Sequence, residues 1–207
     1  MPKSTFFNLS EVKRERIIES AINNFAEMEY NDVTVSKIVK DAQIPKGSFY
    51  QYFEDKYDLY YYIVNLVGEK KKTYFTPVFM KIQTANFFDL LGEMYKAGVK
   101  FAGENPKMAE IGTLLIKTSD QSLLDRVYGD MGGQVEDFLG PILQQAIAKG
   151  ELREDIDIGF LSYMFGQFNM VFADYFFKVK KNSDFEEYVK DIDMMLDLFK
   201  HGAMKKS

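Results

Sequence analysis

Apolar residues recur every three or four positions along most of this chain, the spacing that places side chains on one face of an α-helix. The first such stripe predicts a helix that begins after Ser10, a suitable N-cap, and ends near Tyr30. The stripe consists of Ile18, Ala21, Ile22, Phe25 and Ala26. It predicts one buried face on an otherwise polar helix.

Two short helices follow, separated by a tight turn at Gln43-Ile44-Pro45. Thr34 is the expected N-cap of the first, whose buried side is formed by Val35, Ile38, Val39 and Ala42. Proline suits the first position of a helix, so the second is predicted to run from about Pro45 to Phe53. Its inward residues would be Phe49 and Phe53, which leaves outer faces to Lys46, Gly47, Ser48, Tyr50 and Gln51.

The rest of the chain shows the same helical spacing and no alternation typical of strands. Asp55 is expected to cap a fourth helix, at 56–75, that stops before Pro77. Five more helices are predicted at 85–102, 106–116, 120–149, 157–178 and 184–202. Gly132-Gly133 and Pro141 predict a kink or break in the third of these. The predicted fold class is therefore all-α.

Composition removes several kinds of function. The chain has no cysteine and a single histidine, His201, which excludes thiol chemistry and a His-based catalytic triad. The acidic runs 151–155 and 191–193 lack a recognisable metal-ligand spacing and are interpreted as solvated faces, so we expect no metal and no cofactor. No apolar run approaches membrane-spanning length and no secretory signal is evident, so a soluble, cytoplasmic protein is expected.

A short helix, a tight turn and a second short helix with a polar outer face form a helix-turn-helix, whose second helix can enter the major groove of DNA. The pattern alone leaves open a three-helix packing unit with no nucleic-acid role. Residues 33–59, VTVSKIVKDAQIPKGSFYQYFEDKYDL, favour the DNA-binding interpretation because they resemble the DNA-binding segment of the TetR family. Lys46-Gly47-Ser48-Phe49-Tyr50, Tyr52-Phe53 and Lys56 carry most of the similarity, which covers about the first 60 residues and a weaker segment, GELREDIDI.

This resemblance implies a DNA-binding domain at residues 1–55 and a helical effector-binding and dimerisation domain at 56–207, linked by the helix at 56–75. Two positions depart from the family pattern. Gln43 stands where glycine is usual and must tolerate a turn conformation that glycine adopts more easily, and Pro45 replaces the usual serine or threonine. We expect a slightly altered turn rather than the loss of the motif.

The formal charge of −5 excludes a generally basic coat, and residues 1–56 hold nine acidic against eight basic residues. DNA contact must then come from placement, as with Lys37, Lys46 and Lys56 near helix starts. The resemblance implies phosphate contacts by Thr34, Tyr50, Tyr52 and Lys56, and positions near base edges for Ser36, Lys46, Gly47, Ser48 and Gln51. Tyr50 and Tyr52 as core-edge residues, and Lys46 as a solvated cation, are the alternatives.

The resemblance also implies an effector site among the helices at 85–102, 106–116, 120–149 and 157–178. Candidate lining residues are Phe88, Tyr95, Met108, Ile111, Leu115, Met131, Gln134, Phe138, Phe165, Phe168 and Asn169. For any single aromatic residue, ordinary core packing is the alternative. The abundance of Phe, Tyr and Met, 19, 13 and 11 residues, favours an apolar or lipophilic-cation effector.

The last two predicted helices are expected to pair with those of a second copy in a homodimer, since Phe185, Val189, Ile192, Leu196 and Phe199 form a stripe that needs covering. The function expected is a TetR-type transcriptional regulator, a repressor that binds a palindromic operator and releases it when the effector binds. A helical adaptor of the same fold without DNA binding, and a helical-bundle enzyme, are the competing hypotheses. No convergent catalytic group favours the enzyme.

Overall fold

The structure is a computed structural model that describes residues 1–131, 136–175, 180 and 185–201, with the side chains of 131, 136–138, 169–170 and 173–174 left out. Every regular element in these ranges is an α-helix, which confirms the predicted fold class. The helices are α1 Ser4–Phe7, α2 Glu11–Glu27, α3 Val35–Asp41, α4 Lys46–Tyr52, α5 Lys56–Phe79, α6 Phe87–Glu104, α7 Pro106–Lys117, α8 Gln121–Met131, α9 Glu136–Ala148, α10 Ile158–Asp174 and α11 Phe185–His201. Within the described ranges, no helix is long and apolar enough to cross a membrane.

The chain divides into two compact units, of which the first comprises Met1–Lys71 and Glu104–Met131. In this unit α2 packs against both α3 and α7. Ala21 and Phe25 are buried as predicted, but the centre of the buried face also holds the polar Ser20 and Asn24. These two side chains are hydrogen-bonded to α3, since Ser20 Oγ donates to the Ile38 carbonyl at 2.9 Å and Asn24 Nδ2 to Asp41 at 3.0 Å. They hold α3 on α2 despite their polarity.

The prediction that helix α5 stops before Pro77 is wrong, because the helix continues to Phe79. Proline removes only one main-chain donor, and in the last turn few bonds remain to be lost. Thr76 Oγ1 donates to the Lys72 carbonyl at 2.8 Å, and Val78 is buried in an apolar core. These contacts stabilise the turn in which the proline lies.

The second unit comprises Lys72–Gly103 and Gly132–Ser207, with an apolar core formed by α6, α9, α10 and α11. Helices α9 and α10 pack against each other. The predicted helix at 120–149 corresponds to α8 and α9. Gly132-Gly133, where a kink or break was predicted, lies between them and outside the described residues. Pro141 lies within α9 and is exposed.

Candidate DNA-binding surface and effector core

The turn between α3 and α4 has the geometry that the sequence predicted. Gln43 has φ of 52°, in the left-handed region that glycine occupies more easily. The Gln43 amide donates to the Lys40 carbonyl at 3.1 Å and the Ile44 amide to the Val39 carbonyl at 3.0 Å. Ile44 is buried and anchors the turn. The helix-turn-helix therefore forms with glutamine in the glycine position.

Helix α4 has one buried and one open face, as predicted. Phe49 is fully buried within it and Phe53, its C-cap, is fully buried as well. The open face carries Lys46, Gly47, Tyr50 and Gln51, with Ser48 half-buried beside them. A side chain added at Gly47 would meet no atom within 4 Å, so another backbone can approach the helix closely there. We call these five residues the reading face.

The three cations expected near the DNA have different surroundings. Lys46 is exposed and makes no ion pair with any residue that the structure describes. The Lys37 ammonium donates to Asn24 Oδ1 at 2.8 Å and lies 3.8 Å from Glu27 and 3.9 Å from Asp41, which neutralise it. Of Lys37 and Lys46, only Lys46 offers an uncompensated charge.

Lys56 is turned toward the loop that leads into α3. Its Nζ donates to the carbonyls of Tyr30 at 2.7 Å and Val33 at 2.9 Å and lies 4.2 Å from the centre of the Tyr30 ring. Burial lowers the pKa of Lys56, and the nearby Asp32 acts in the opposite direction. These contacts fix the loop before Thr34, whose hydroxyl caps α3 by accepting from the Lys37 amide at 3.2 Å. Ser36 is exposed next to this cap.

Sequence reasoning missed α1, a single turn that caps the end of α4. The Lys3 amide donates to the Tyr52 carbonyl at 2.8 Å, Lys3 Nζ to the Tyr50 carbonyl at 3.0 Å, and Thr5 Oγ1 to the Gln51 carbonyl. Phe6 is fully buried against Phe53 and Tyr52. These donors satisfy the carbonyls that a helix leaves unpaired at its C-terminus. One turn has too few residues to show a periodicity, so no sequence signal identifies it.

Tyr52 lies between α4 and α2 and is 5% exposed. Its hydroxyl accepts a hydrogen bond from Lys13 Nζ at 3.2 Å. The contact connects the last residue of α4 to α2.

Asp120, also missed, caps α8 within the first unit. Its carboxylate accepts from Ser122 Oγ at 2.6 Å, from Asn31 Nδ2 at 3.1 Å and from the Leu123 amide at 3.1 Å. These hydrogen bonds lower the pKa of Asp120 to about 2, with the Ser122 bond as the largest cause. Through Asn31, the cap also holds the loop that Lys56 contacts.

The effector candidates fall into separate groups. Phe88, Tyr95, Phe165 and Phe168 all belong to the core of the second unit, where Tyr95 and Phe165 are buried. Met108, Ile111 and Leu115 belong to α7 in the first unit, where the latter two are buried. The side chains of Met131, Phe138 and Asn169, and all of Gln134, lie outside the described residues.

A groove of about 550 Å³ opens on the second unit between α6 and α11. Phe88 lines it, together with the ion pairs Lys81–Glu93 at 3.3 Å and Lys96–Asp193 at 3.4 Å. Paired charges line much of its wall, which makes this groove a poor match for the apolar effector site that the sequence predicts. Within the described residues, no cluster of metal-ligating side chains occurs here or elsewhere.

Helices α10 and α11 each expose large apolar side chains, and of the stripe predicted on α11 only Phe185 is among them. Ile192 and Leu196 are buried in the core of their own chain, because the stripe on α11 packs against α6 and α10 within the unit. The exposed residues are Phe160, Tyr163, Val171 and Tyr175 on and just after α10, and Phe185, Met194 and Leu198 on α11. We call these seven residues the apolar face. Exposed apolar surface of this kind indicates an interaction site.

Known proteins are similar to this chain in sequence and in fold. Residues 17–63 match the family model described as bacterial regulatory proteins, tetR family. The chain is 26% identical over 147 residues to a fatty acid metabolism regulator protein of Bacillus subtilis (strain 168), a match that spans 70% of this chain and 74% of that protein.

Solved structures share the whole fold. A TetR family transcriptional regulator from Chloroflexus aurantiacus superposes with a TM-score of 0.77 at 25% identity, over 98% of both chains. The regulator FadR from Bacillus subtilis, solved in complex with stearoyl-CoA, superposes with a TM-score of 0.71 at 22% identity, over 92% of this chain and 99% of that one. At that identity the second likeness shows the fold alone.

Proposed function

Since this chain belongs to the TetR family of transcriptional regulators, we propose that it is a repressor that binds a palindromic operator as a homodimer and releases it when a fatty-acyl effector binds. The observation that carries the DNA-binding part is the reading face on α4. Two copies of α4 related by two-fold symmetry meet successive major grooves, which requires a palindromic or near-palindromic site. The site of action would be the cytoplasm, where the operator lies.

In this proposal the exposed side chains of the reading face recognise bases. Gln51 can pair bidentately with adenine, Lys46 can donate to guanine, and the open space at Gly47 admits the DNA backbone. Ser48 and Tyr50 on this face, and Thr34, Ser36 and Lys37 at the start of α3, would contact phosphates or base edges. Lys56 and Tyr52 would contribute by positioning α3 and α4, given their contacts within the chain.

The fatty-acyl effector is proposed from two lines of support. A fatty acid metabolism regulator is among the relatives, and a regulator of the same fold was solved with stearoyl-CoA. The second unit also offers an aromatic core in which the Phe87 and Phe165 rings lie 5.6 Å apart and the Phe168 and Phe199 rings 4.9 Å apart. Apolar and aromatic side chains are what an acyl chain requires.

DNA binding is tested with duplexes from the region upstream of the gene, by fluorescence anisotropy across a salt series. Each phosphate neutralised by a cation contributes a slope of about −0.9 in log affinity against log salt. Besides donating to a base, the uncompensated charge of Lys46 would neutralise a neighbouring phosphate, so Lys46→Ala should flatten the slope by about one per half-site. Lys37→Ala should change the slope less, because the charge of Lys37 is already compensated. Equal slopes for parent and Lys46→Ala would contradict this assignment.

Gly47→Ala separates DNA contact from folding. The added methyl has free space in the protein and favours the helix, so the free energy of unfolding should rise by about 0.5–1 kcal/mol. The same methyl should weaken operator binding by obstructing close approach. A variant that is more stable and binds the operator equally well would show that DNA does not approach the helix closely at Gly47. Failure of the parent itself to bind any upstream duplex would argue for an adaptor that has lost DNA binding. Addition of stearoyl-CoA to the operator complex tests the effector, with release of DNA as the expected result.

A further inference from the structure

The Tyr95 side chain, midway along α6, is 3% exposed. Its hydroxyl is buried and has no hydrogen-bond partner among the residues that the structure describes. Buried tyrosine hydroxyls usually find a partner, because losing water without gaining another bond is costly. Burial raises the pKa of Tyr95, so the hydroxyl stays protonated and is available as a donor.

The described surroundings of Tyr95 are apolar. It belongs to the cluster formed by residues such as Leu91, Leu143 and Phe165, and the ring of Phe172 lies 5.8 Å from its own ring. A lone donor in an apolar core is a poor choice for stability, because phenylalanine would fill the same space without the unsatisfied group. It is a good choice for a site that receives an apolar molecule with one acceptor atom.

We infer that the Tyr95 hydroxyl donates a hydrogen bond to the carbonyl oxygen of a fatty-acyl effector bound in the core of the second unit. This inference rests on the proposed function and adds to it the residue that recognises the acyl group. A fatty acyl compound has the matching chemistry, with a long apolar chain and one carbonyl at its head. An acyl thioester presents this acceptor as a carbonyl oxygen, and a free fatty acid, ionised near neutral pH, presents it as a carboxylate oxygen.

The side of the core next to Tyr95 can open without unpacking its centre. Phe168 and Phe172, one helical turn apart on α10, are only partly buried. Rotation of these rings toward solvent makes room for an acyl chain, while the fully buried Leu143 and Ile192 stay in place. The hydroxyl of Tyr95 then meets the acyl head instead of an aromatic ring.

The test compares three probes on the full chain by titration calorimetry: stearoyl-CoA, stearic acid and S-octadecyl-CoA, a thioether that lacks the carbonyl. Tyr95→Phe should weaken binding of the carbonyl-containing effector about tenfold and leave S-octadecyl-CoA within about twofold of the parent. Reduced affinity of Tyr95→Phe for stearoyl-CoA, for stearic acid or for both supports the inference and shows which form of the acyl group the protein binds. Without ligand, Tyr95→Phe should melt about 2–4 °C higher than the parent, because the unsatisfied hydroxyl is gone.

Tyr188→Phe is the matched control, since the Tyr188 hydroxyl already donates to the Lys180 carbonyl at 3.3 Å. It should bind all three probes like the parent and should melt no higher. An equal loss of affinity for acyl and alkyl probes in Tyr95→Phe, or no loss at all, overturns the inference alone. Failure of the parent to bind either stearoyl-CoA or stearic acid overturns both the inference and the proposed effector.

Discussion

Single residues in the first unit hold conformations and charges that can be tested one at a time. Gln43 is the clearest backbone case, because a side chain in the left-handed region costs about 1–2 kcal/mol relative to glycine. A glycine at this position would remove that cost, but it would also stabilise the unfolded chain by giving it more conformational freedom, which offsets part of the gain.

Gln43→Gly should therefore raise the free energy of unfolding by about 0.5–1 kcal/mol, measured by urea denaturation. Gln43→Val should lower it, because a β-branched residue tolerates this conformation poorly. The turn keeps its shape in Gln43→Gly, so operator affinity should match that of the parent. A less stable Gln43→Gly variant would show that contacts of the glutamine side chain outweigh the backbone strain.

Asp120 supplies the pH dependence at this scale. Its pKa of about 2 in the folded chain lies below the ordinary value of 3.8, so its carboxylate stabilises the fold above about pH 4. That contribution is lost as the pH falls from about 4 toward 2, because Asp120 becomes protonated first in the unfolded chain and then in the folded chain as well. Asp120→Asn should be less stable than the parent at pH 7 and equally stable near pH 2, when the two are compared by urea unfolding. A difference of the same size at both pH values would contradict the role of the charge.

At the scale of elements, α1 packs on the C-terminal end of α4 and supplies hydrogen-bond donors to the last carbonyls of that helix. Phe6 provides most of the packing between α1 and α4, because it is fully buried while its neighbour Phe7 is 50% exposed. The two adjacent phenylalanines therefore form a matched pair for testing whether α1 positions α4.

Phe6→Ala should cost about 3 kcal/mol of stability and weaken operator binding even where the protein is fully folded, because the last carbonyls of α4 lose their donors. Phe7→Ala should change both quantities much less. Urea denaturation and anisotropy, measured well below the unfolding midpoint, separate the two effects. Phe6→Ala with reduced stability but parental DNA affinity would restrict α1 to a packing role.

At the scale of the whole molecule, the proposed homodimer is what would bring two reading faces onto one operator. The apolar face offers exposed side chains on α10 and α11, and Val171 and Leu198 are 60% and 49% exposed in the single chain. Substitutions at such positions test association without disturbing the core. Leu196→Glu would instead place a charge in the core, since Leu196 is 7% exposed.

Val171→Glu and Leu198→Glu should yield folded monomers at micromolar concentration, as judged by sedimentation and circular dichroism. Operator affinity should fall by about tenfold or more, because the second half-site no longer benefits from being tethered to the first. Ile116→Glu is a suitable control, since Ile116 on α7 is 48% exposed and lies outside the apolar face. Dimeric Val171→Glu and Leu198→Glu variants would place the dimer interface elsewhere on the chain.

The sequence by itself determined the features that depend on neighbours along the chain. Helical spacing, the caps at Thr34 and Asp55, and the unusual turn at Gln43 all follow from bonds that close within a few residues, and the structure confirms each of them. The buried and open faces of α4 were predicted for the same reason, because Phe49 in the helix and Phe53 at its C-cap are four residues apart and lie on one side.

Only the tertiary structure decided which residues that are distant in sequence contact one another. It assigned Lys56 to the carbonyls of Tyr30 and Val33, placed α1 on the end of α4, and buried Leu196 while exposing Leu198. Each outcome depends on which element lies opposite a given helix face, and periodicity gives the spacing of a face but not its partner. The Tyr95 hydroxyl, which has no partner among the described residues, belongs to the same class, because whether a polar group is satisfied depends on every element packed around it.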